Sequence, residues 1–335
     1  MADAHGTSVQ IFYVHGCSGD DTNTQDGTFG SNHFGTTGAY KTIQHAFDLV
    51  DAGTINDSDV IHIMKTDNDA LYYRPTSAIG VVFGGKDIAI HGSNSTGAVD
   101  GTIVEIHGGS AGATALMYLN QGAGGVDYVN WSNLYFNGAD TSTKCVHVKD
   151  QTNIDCNWIN CRFSSATTDG FDASGVDLST DNNYLNFANC RFDNNGASGL
   201  KHDTGANHLM IYKSLFDNNT GTGGDLNSNI KIAECVFYGN TGSGCRVGNG
   251  SDVSNCVFDS NRDKGLDVRG SRNGWGLNNI YSNNTNVGIA VQNGRPHSEL
   301  NPVFYNNGSN YSGNEYSINN MTTTKVEFVD PANLD

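Results

Sequence analysis

Asn189 opens the stretch NCRFDNNGASGL, and three later stretches repeat its pattern: ECVFYGNTGSGC from Glu234, NCVFDSNRDKGL from Asn255 and NNIYSNNTNVGI from Asn278. The aromatic residue is the landmark. Followed along the chain it gives Phe163, Phe192, Phe216, Phe237, Phe258, Tyr281 and Phe304, at spacings of 29, 24, 21, 21, 23 and 23 residues. Eight residues after most of them stands an apolar residue preceded by glycine: Gly170–Phe171, Gly199–Leu200, Gly244–Cys245, Gly265–Leu266 and Gly288–Ile289. After Phe216 the pattern reads as displaced, with Gly224–Asp225–Leu226 two residues late. Self-similarity at a fixed period of about 20–50 residues is the mark of a stacked-repeat architecture.

The period fits one three-stranded coil of an all-β, right-handed parallel β-helix. A leucine-rich repeat has a similar length, but its LxxLxL pattern is absent and no helix fits between landmarks. A single coil cannot bury its own apolar face; coils stacked ~4.8 Å apart bury a continuous column. Side chains alternate along a strand, so the landmark and the residue two before it share a side. That second position reads Cys161, Cys190, Ser214, Cys235, Cys256 and Asn279, which predicts an inward column of small buried residues. Three residues after the landmark stand Asn195, Asn219, Asn240, Asn261, Asn284 and Asn307. Asparagine tolerates left-handed backbone, and stacked amides bond from one layer to the next. The series predicts an asparagine ladder at one corner of the solenoid.

Upstream, VIHIM from Val60, IAIHG from Ile88, VEIHG from Val104 and LMYL from Leu116 alternate as strands do. YKTIQHAFDLVDAG from Tyr40 places Ile43, Ala46, Phe47 and Val50 at helical spacing. A helix there would cover the first coil's open edge. The organisation expected is an opening strand and N-terminal capping helix over residues 1–59, then a solenoid with a closing segment over residues 60–335.

Net charge is −17, with 18 Lys+Arg against 35 Asp+Glu. Nucleic acid and anionic membrane both require a basic footprint, so neither is expected as a partner. No apolar run approaches the ~18 residues of a membrane span, so no membrane insertion is expected. MADAHGTSVQIF has neither the basic nor the apolar region of a signal peptide. Eight cysteines, Cys17 and Cys145 among them, read as buried thiols rather than a disulfide scaffold.

Two terminal stretches carry a resemblance. FYVHGCSGDDTNTQDGTFG from Phe12, then AYKTIQHAFDLV from Ala39 and VIHIM, resemble the opening of the pectate-lyase-like β-helix superfamily. The helix motif is altered: Thr36–Thr37–Gly38–Ala39–Tyr40–Lys41–Thr42–Ile43–Gln44 has Ala39 where the family pattern places proline. VEFVDPANLD from Val326 resembles the segment that closes many such solenoids. The resemblance spans nearly the whole chain and implies the fold; lyases, hydrolases, adhesins and phage spikes all share it.

Enzymes of this superfamily carry carboxylates and bases on outward positions of neighbouring coils. Two outward columns can be followed: Asp172, Lys201, Arg246, Asp267 and Ala290, then Ser174, Asp203, Gly248, Arg269 and Gln292. Asp172 and Asp203 would stand one coil and two residues apart, roughly 8 Å by strand geometry. An inverting glycosidase pair needs ~6.5–9.5 Å. If the chain is an enzyme, a polysaccharide hydrolase or lyase, Asp172, Asp203 and Lys201 are its candidates. The competing reading is a charge ladder, because opposite charges on adjacent strands stabilise the stack. His202 points inward on this register. Asp169, Asp172 and Asp177 are dense but match no calcium loop. No metal and no cofactor is expected.

The function these features favour is a bacteriophage virion-associated structural protein, a capsid decoration protein or short spike, made in the host cytoplasm and located in the virion. Its expected partners are other virion proteins, itself as a homotrimer, and a host surface glycan. A tailspike-type glycoside hydrolase or lyase is the first alternative, a bacterial surface adhesin the second.

Overall fold

The structure, a computed structural model, describes residues 9–15, 39–40, 42–65, 78–83, 86–95, 97–108, 114–120, 127–139, 141–149, 154–174, 176, 184–203, 208–227, 229–270, 274–292, 297–313, 315–318 and 321–322. Cys17, Thr36–Gly38, Lys41, Asp177 and the closing VEFVDPANLD lie outside them. The strands form three parallel sheets of 12, 10 and 10 strands. Within the regular part, each third strand in the chain joins the same sheet. One coil is Leu209–Tyr212, Leu215–Asp217 and Gly224–Leu226; the next is Lys231–Ala233, Val236–Tyr238 and Cys245–Val247. We call the 12-stranded sheet the first face, that of Leu215–Asp217 the second, and that of Gly224–Leu226 the third.

Sharp corners make three short strands close into a coil. A left-handed residue stands between the first and second faces in successive coils: Asn133, Asn160, Asn189, Lys213, Glu234, Asn255, Asn278 and Asn301, with φ between 48° and 56°. A second row leaves the second face at Ser165, Asn194, Asn218, Gly239, Ser260, Asn283 and Asn306. Asparagine is frequent in both rows because it is among the few side chains that occupy this region readily. In the first row Lys213 and Glu234 are the exceptions, and their side chains pair at 3.8 Å; in the second Ser165, Gly239 and Ser260 replace it.

Inside, the repeat becomes stacked columns. Phe163, Phe192, Phe216, Phe237, Phe258, Tyr281 and Phe304 are Cα partners in register, and Phe136 adds one earlier ring. Their rings stack at 4.6–5.4 Å between centroids. Trp131 on Trp158 adds a second stack at 4.7 Å. Beside the aromatics lie Cys161, Cys190, Ser214, Cys235, Cys256 and Asn279, none more than 2% exposed. Burial pushes the Cys145 and Cys161 thiols up to about 12 and raises Cys190, Cys235 and Cys245 as well. Native protein is therefore expected to leave the seven described cysteines unreacted with a thiol reagent at mildly alkaline pH. All seven should titrate in guanidinium; rapid native-state labelling of Cys161, Cys190, Cys235 or Cys256 contradicts the column.

The asparagine ladder is present, but for one of the two reasons read from sequence. Asn195, Asn219, Asn240, Asn261 and Asn284 are fully buried, and none of them is left-handed. The left-handed backbone belongs to the residue before each. Each ladder Nδ2 donates to the Oδ1 of the next coil's asparagine at 2.9–3.0 Å. It also donates to the carbonyl of the preceding coil's aromatic residue, as Asn240 does to Phe216 at 3.0 Å. The backbone N–H of Asn219 adds a bond to Asn240 Oδ1 at 3.1 Å. Only an amide, with two donors and a two-lone-pair acceptor, satisfies this environment.

The displacement expected after Phe216 is absent. Gly223 N–H bonds Ser243 O as Gly244 N–H bonds Lys264 O, so Gly223 holds the repeat glycine's place. Gly224 pairs with Leu200 and Cys245, standing where the other coils have an apolar side chain. The sequence reading keyed on glycine followed by a large residue, and two consecutive glycines shifted the frame. The correction brings Asp225 into the charged column, between Lys201 and Arg246.

The coils begin well before the regular repeat. Ile11–Val14 pairs with Val60–Met64 as the first rung of the first face. The helix runs Ile43–Asp51, its N-cap Thr42 hydroxyl accepting from His45 N–H at 3.2 Å. Its buried face, Ile43, Ala46, Phe47 and Val50, meets the core, with Phe47 edge-on to Phe83 and Trp131. Gln44 explains the cap in chemical terms. Its amide accepts from Gly80 N–H at 2.8 Å and donates to Gly80 O at 3.0 Å, standing in for a neighbouring strand at the end of the third face. An open strand edge is otherwise a template for aggregation.

One buried polar group interrupts the columns. Glu299 points into the core at 1% exposure, where the two preceding coils of its column carry Val253 and Gly276. Its Oε1 accepts from Tyr281 Oη at 2.8 Å and lies 2.8 Å from His297 Nε2; its Oε2 accepts from Asn279 Nδ2 at 3.2 Å. Tyr281 stands for phenylalanine in the aromatic column and Asn279 for cysteine in its neighbour. Gly276 leaves the room: a Cβ there would run into the Glu299 carboxylate. These departures from the repeat belong to one network.

Candidate functional site

The charged residues singled out from sequence lie on the outer side of the third face. In register the column reads Tyr118, His147, Asp172, Lys201, Asp225, Arg246, Asp267 and Ala290. Tyr118 and His147 contact at 5.7 Å between ring centroids. Asp172 is only 2% exposed and forms an ion pair with Lys144. Its Oδ1 also accepts from Ser174 N–H at 2.9 Å. Burial pushes the Asp172 carboxyl up, but hydrogen bonds from Lys144 and Ser174 outweigh it and hold the group below its ordinary value. Asp169, three residues earlier, is raised by burial despite accepting from Ser198 N–H at 3.0 Å.

Asp267 is the centre of the other end. It is fully buried and meets three cations: Arg269 at 2.9 Å, Lys264 at 3.1 Å and Arg246 at 3.6 Å. Gln292 Nε2 donates to it at 2.8 Å, and Arg246 pairs also with Asp225 at 2.7 Å. A buried carboxylate so surrounded is neutralised and held, which links four successive coils. A second staircase climbs the second face. Arg162 forks onto Asp193 at 2.8 and 2.6 Å, and Arg191 onto Asp217 at 3.0 and 2.9 Å.

Asp203, the other carboxylate of the candidate pair, is exposed and two residues beyond Lys201, the register partner of Asp172. It lines a groove of 230 Å³ with Asp225, Asn227, Arg246, Asn249 and Arg269. Gly248, between Asn227 and Arg269, also lines it. His202 is buried, with Nε2 3.1 Å from Val176 O. Lys144 was not read from sequence, because it precedes the strand Val146–Lys149 in a coil outside the regular repeat. Among the described residues, no group of three or more His, Cys, Asp or Glu is placed to hold a metal ion.

The strands form a parallel three-faced coil, and a sequence comparison supplies its hand. A profile of the family described as "Right handed beta helix region" matches residues 116–277, just under half the chain. The chain is a right-handed parallel β-helix. This β-helix superposes on Geobacillus virus E2 ORF18 with a TM-score of 0.56 at 12% identity, covering 77% of this chain and 52% of that one. It thus spans about half the length of the viral protein. It superposes on pectate lyase Pel9A with a TM-score of 0.53 at 15% identity, covering 95% of this chain and 78% of the lyase. At such identities these likenesses show the fold alone. No curated protein sequence matches this β-helix.

Proposed function

We propose that this β-helix is a non-catalytic structural component of a bacteriophage virion, a capsid decoration protein or short spike, assembled as a homotrimer. The observation that carries the reading is the use made of the outward charge. Asp172, Asp193, Asp217, Asp225 and Asp267 each face a lysine or arginine across or along the coils, so the charges that could do chemistry hold the stack together. The fold is also that of a protein of Geobacillus virus E2. A long, stiff rod with a capped N-terminal end suits a surface fitting whose work is to stand and bind.

A polysaccharide-degrading enzyme is the second reading, favoured by one observation. Asp169 and Asp172 are displaced in opposite directions, the pattern that separates a general acid from a base. The deciding assay is release of reducing ends or unsaturated uronates from a panel of bacterial capsular polysaccharides. No turnover is expected. Turnover that is abolished by Asp172→Asn and by either Asp169→Asn or Asp203→Asn, with the fold intact by circular dichroism, overturns the structural reading. Mass spectrometry of purified virions should find the chain at a fixed copy number; its absence there also overturns the reading.

A further inference from the structure

We infer that the outer side of the first face is a self-association surface, whose partner is a second copy of this chain. The proposal deepens the structural reading above, which requires many identical copies side by side. Eight of the ten exposed large apolar side chains among the described residues lie on this one sheet, the other two being Val99 and Ile103. They include Trp275 at 62% exposure, Ile159 at 48%, Met210 at 44% and Tyr212 at 40%. The coil's core is filled from the other side, so these side chains are left facing solvent. Exposed large apolar side chains gathered on one face, here interspersed with asparagine and serine, mark an interface.

Charge selects the occupant. Two adjacent outward columns run the length of the face, and a shorter third at its edge, Asp87, Tyr128, Asp155 and Tyr184, carries two aspartates. The one from Tyr13 to Leu300 has no Asp, Glu, Lys or Arg at any of its eleven positions. The one from Ile11 to Ser298 has only Lys231 and Asp252, which are register neighbours of opposite sign. A chain of net charge −17 repels its own copies, and this stripe of zero net charge is where two copies approach without bringing like charges together. The third face presents ion-paired aspartates instead; the second carries the Arg162–Asp193 and Arg191–Asp217 pairs and then a half-exposed apolar column, Leu215, Val236, Val257, Ile280 and Val303, without the exposed aromatics of the first. Area agrees: twelve strands ~4.8 Å apart and averaging about 15 Å long span roughly 800 Å², close to what each partner buries in a standard interface. Two copies pack the face against itself; three turn it toward a common axis. Trp275 and Tyr212 are the anchors, being the residue types that dominate interface energies.

The test is the mass of the full chain by sedimentation velocity across a concentration series, for wild type, Trp275→Glu and Tyr212→Glu. Wild type should be oligomeric, and each substitution should weaken association by roughly thirtyfold with an unchanged circular dichroism spectrum. Lys201→Glu on the third face should leave the mass unaltered. Mixing Tyr212→Glu with Tyr212→Lys chains should restore association, which misfolded variants would not do. A monomeric wild type, or an oligomer indifferent to charge on this face, overturns the proposal. Self-association through this face by a chain missing from virions would leave the proposal standing and the virion reading lost.

Discussion

Glu299→Ala is expected to lower the unfolding free energy by about 3–5 kcal/mol, because three buried polar groups lose a partner and a cavity opens in the core. Tyr281 Oη, His297 Nε2 and Asn279 Nδ2 all converge on that carboxylate, which is 1% exposed. Asn279 retains its bond to Val253 O at 2.9 Å, so it suffers least. Gly276→Ala should be as damaging by the opposite route, since the added methyl displaces Glu299 from its partners. The double variant should cost clearly less than the sum of the two, because both single changes break one network. Equilibrium guanidinium unfolding read by near-ultraviolet circular dichroism measures all three. Additive losses would show that Gly276 and Glu299 are independent and would remove the network from the account.

Asn240→Ala is the second large effect, at about 3–4 kcal/mol from several orphaned buried groups. The substitution takes the acceptor from Asn219 N–H and Nδ2, and the donor from Phe216 O and Asn261 Oδ1. Asn307→Ala, at the part-buried end of the ladder, should cost less than half as much; among the described residues no later rung bonds to its amide. Because a solenoid opens coil by coil, native-state hydrogen exchange is the better readout. Protection should fall locally around Phe216–Asn261 in the first variant and only near the end in the second. Equal, small effects at both positions would mean that the ladder decorates the corner without holding it.

Repetition made most of the fold legible. The aromatic, cysteine and asparagine columns were readable because each recurs once per coil at the same offset, and stacking in register turns an offset into a line of contacts. The ladder's location was readable while its backbone role was not: both the left-handed residue and the buried residue after it are commonly asparagine, as in Asn194–Asn195 and Asn218–Asn219. The frame at Gly223–Gly224 was misread because a pattern based on side-chain size is blind where two glycines meet. The partner of Asp172 was illegible for a different reason. Lys144 belongs to the previous coil and precedes its strand, and only the closure of the coil brings its ammonium to the carboxylate.

The amino-acid sequence alone determined that this chain stacks: a short period, alternating burial and one asparagine per coil are local, repeated instructions that admit one architecture. Tertiary structure decided what the outward and exceptional residues mean. Whether a carboxylate is a catalyst or a strut depends on which charge stands beside it in space, and whether Glu299 is tolerable depends on a glycine one coil away. Those pairings lie across coils, where sequence distance carries no fixed relation to contact. Periodic burial is written along the chain, and charge neutralisation is settled only between its turns.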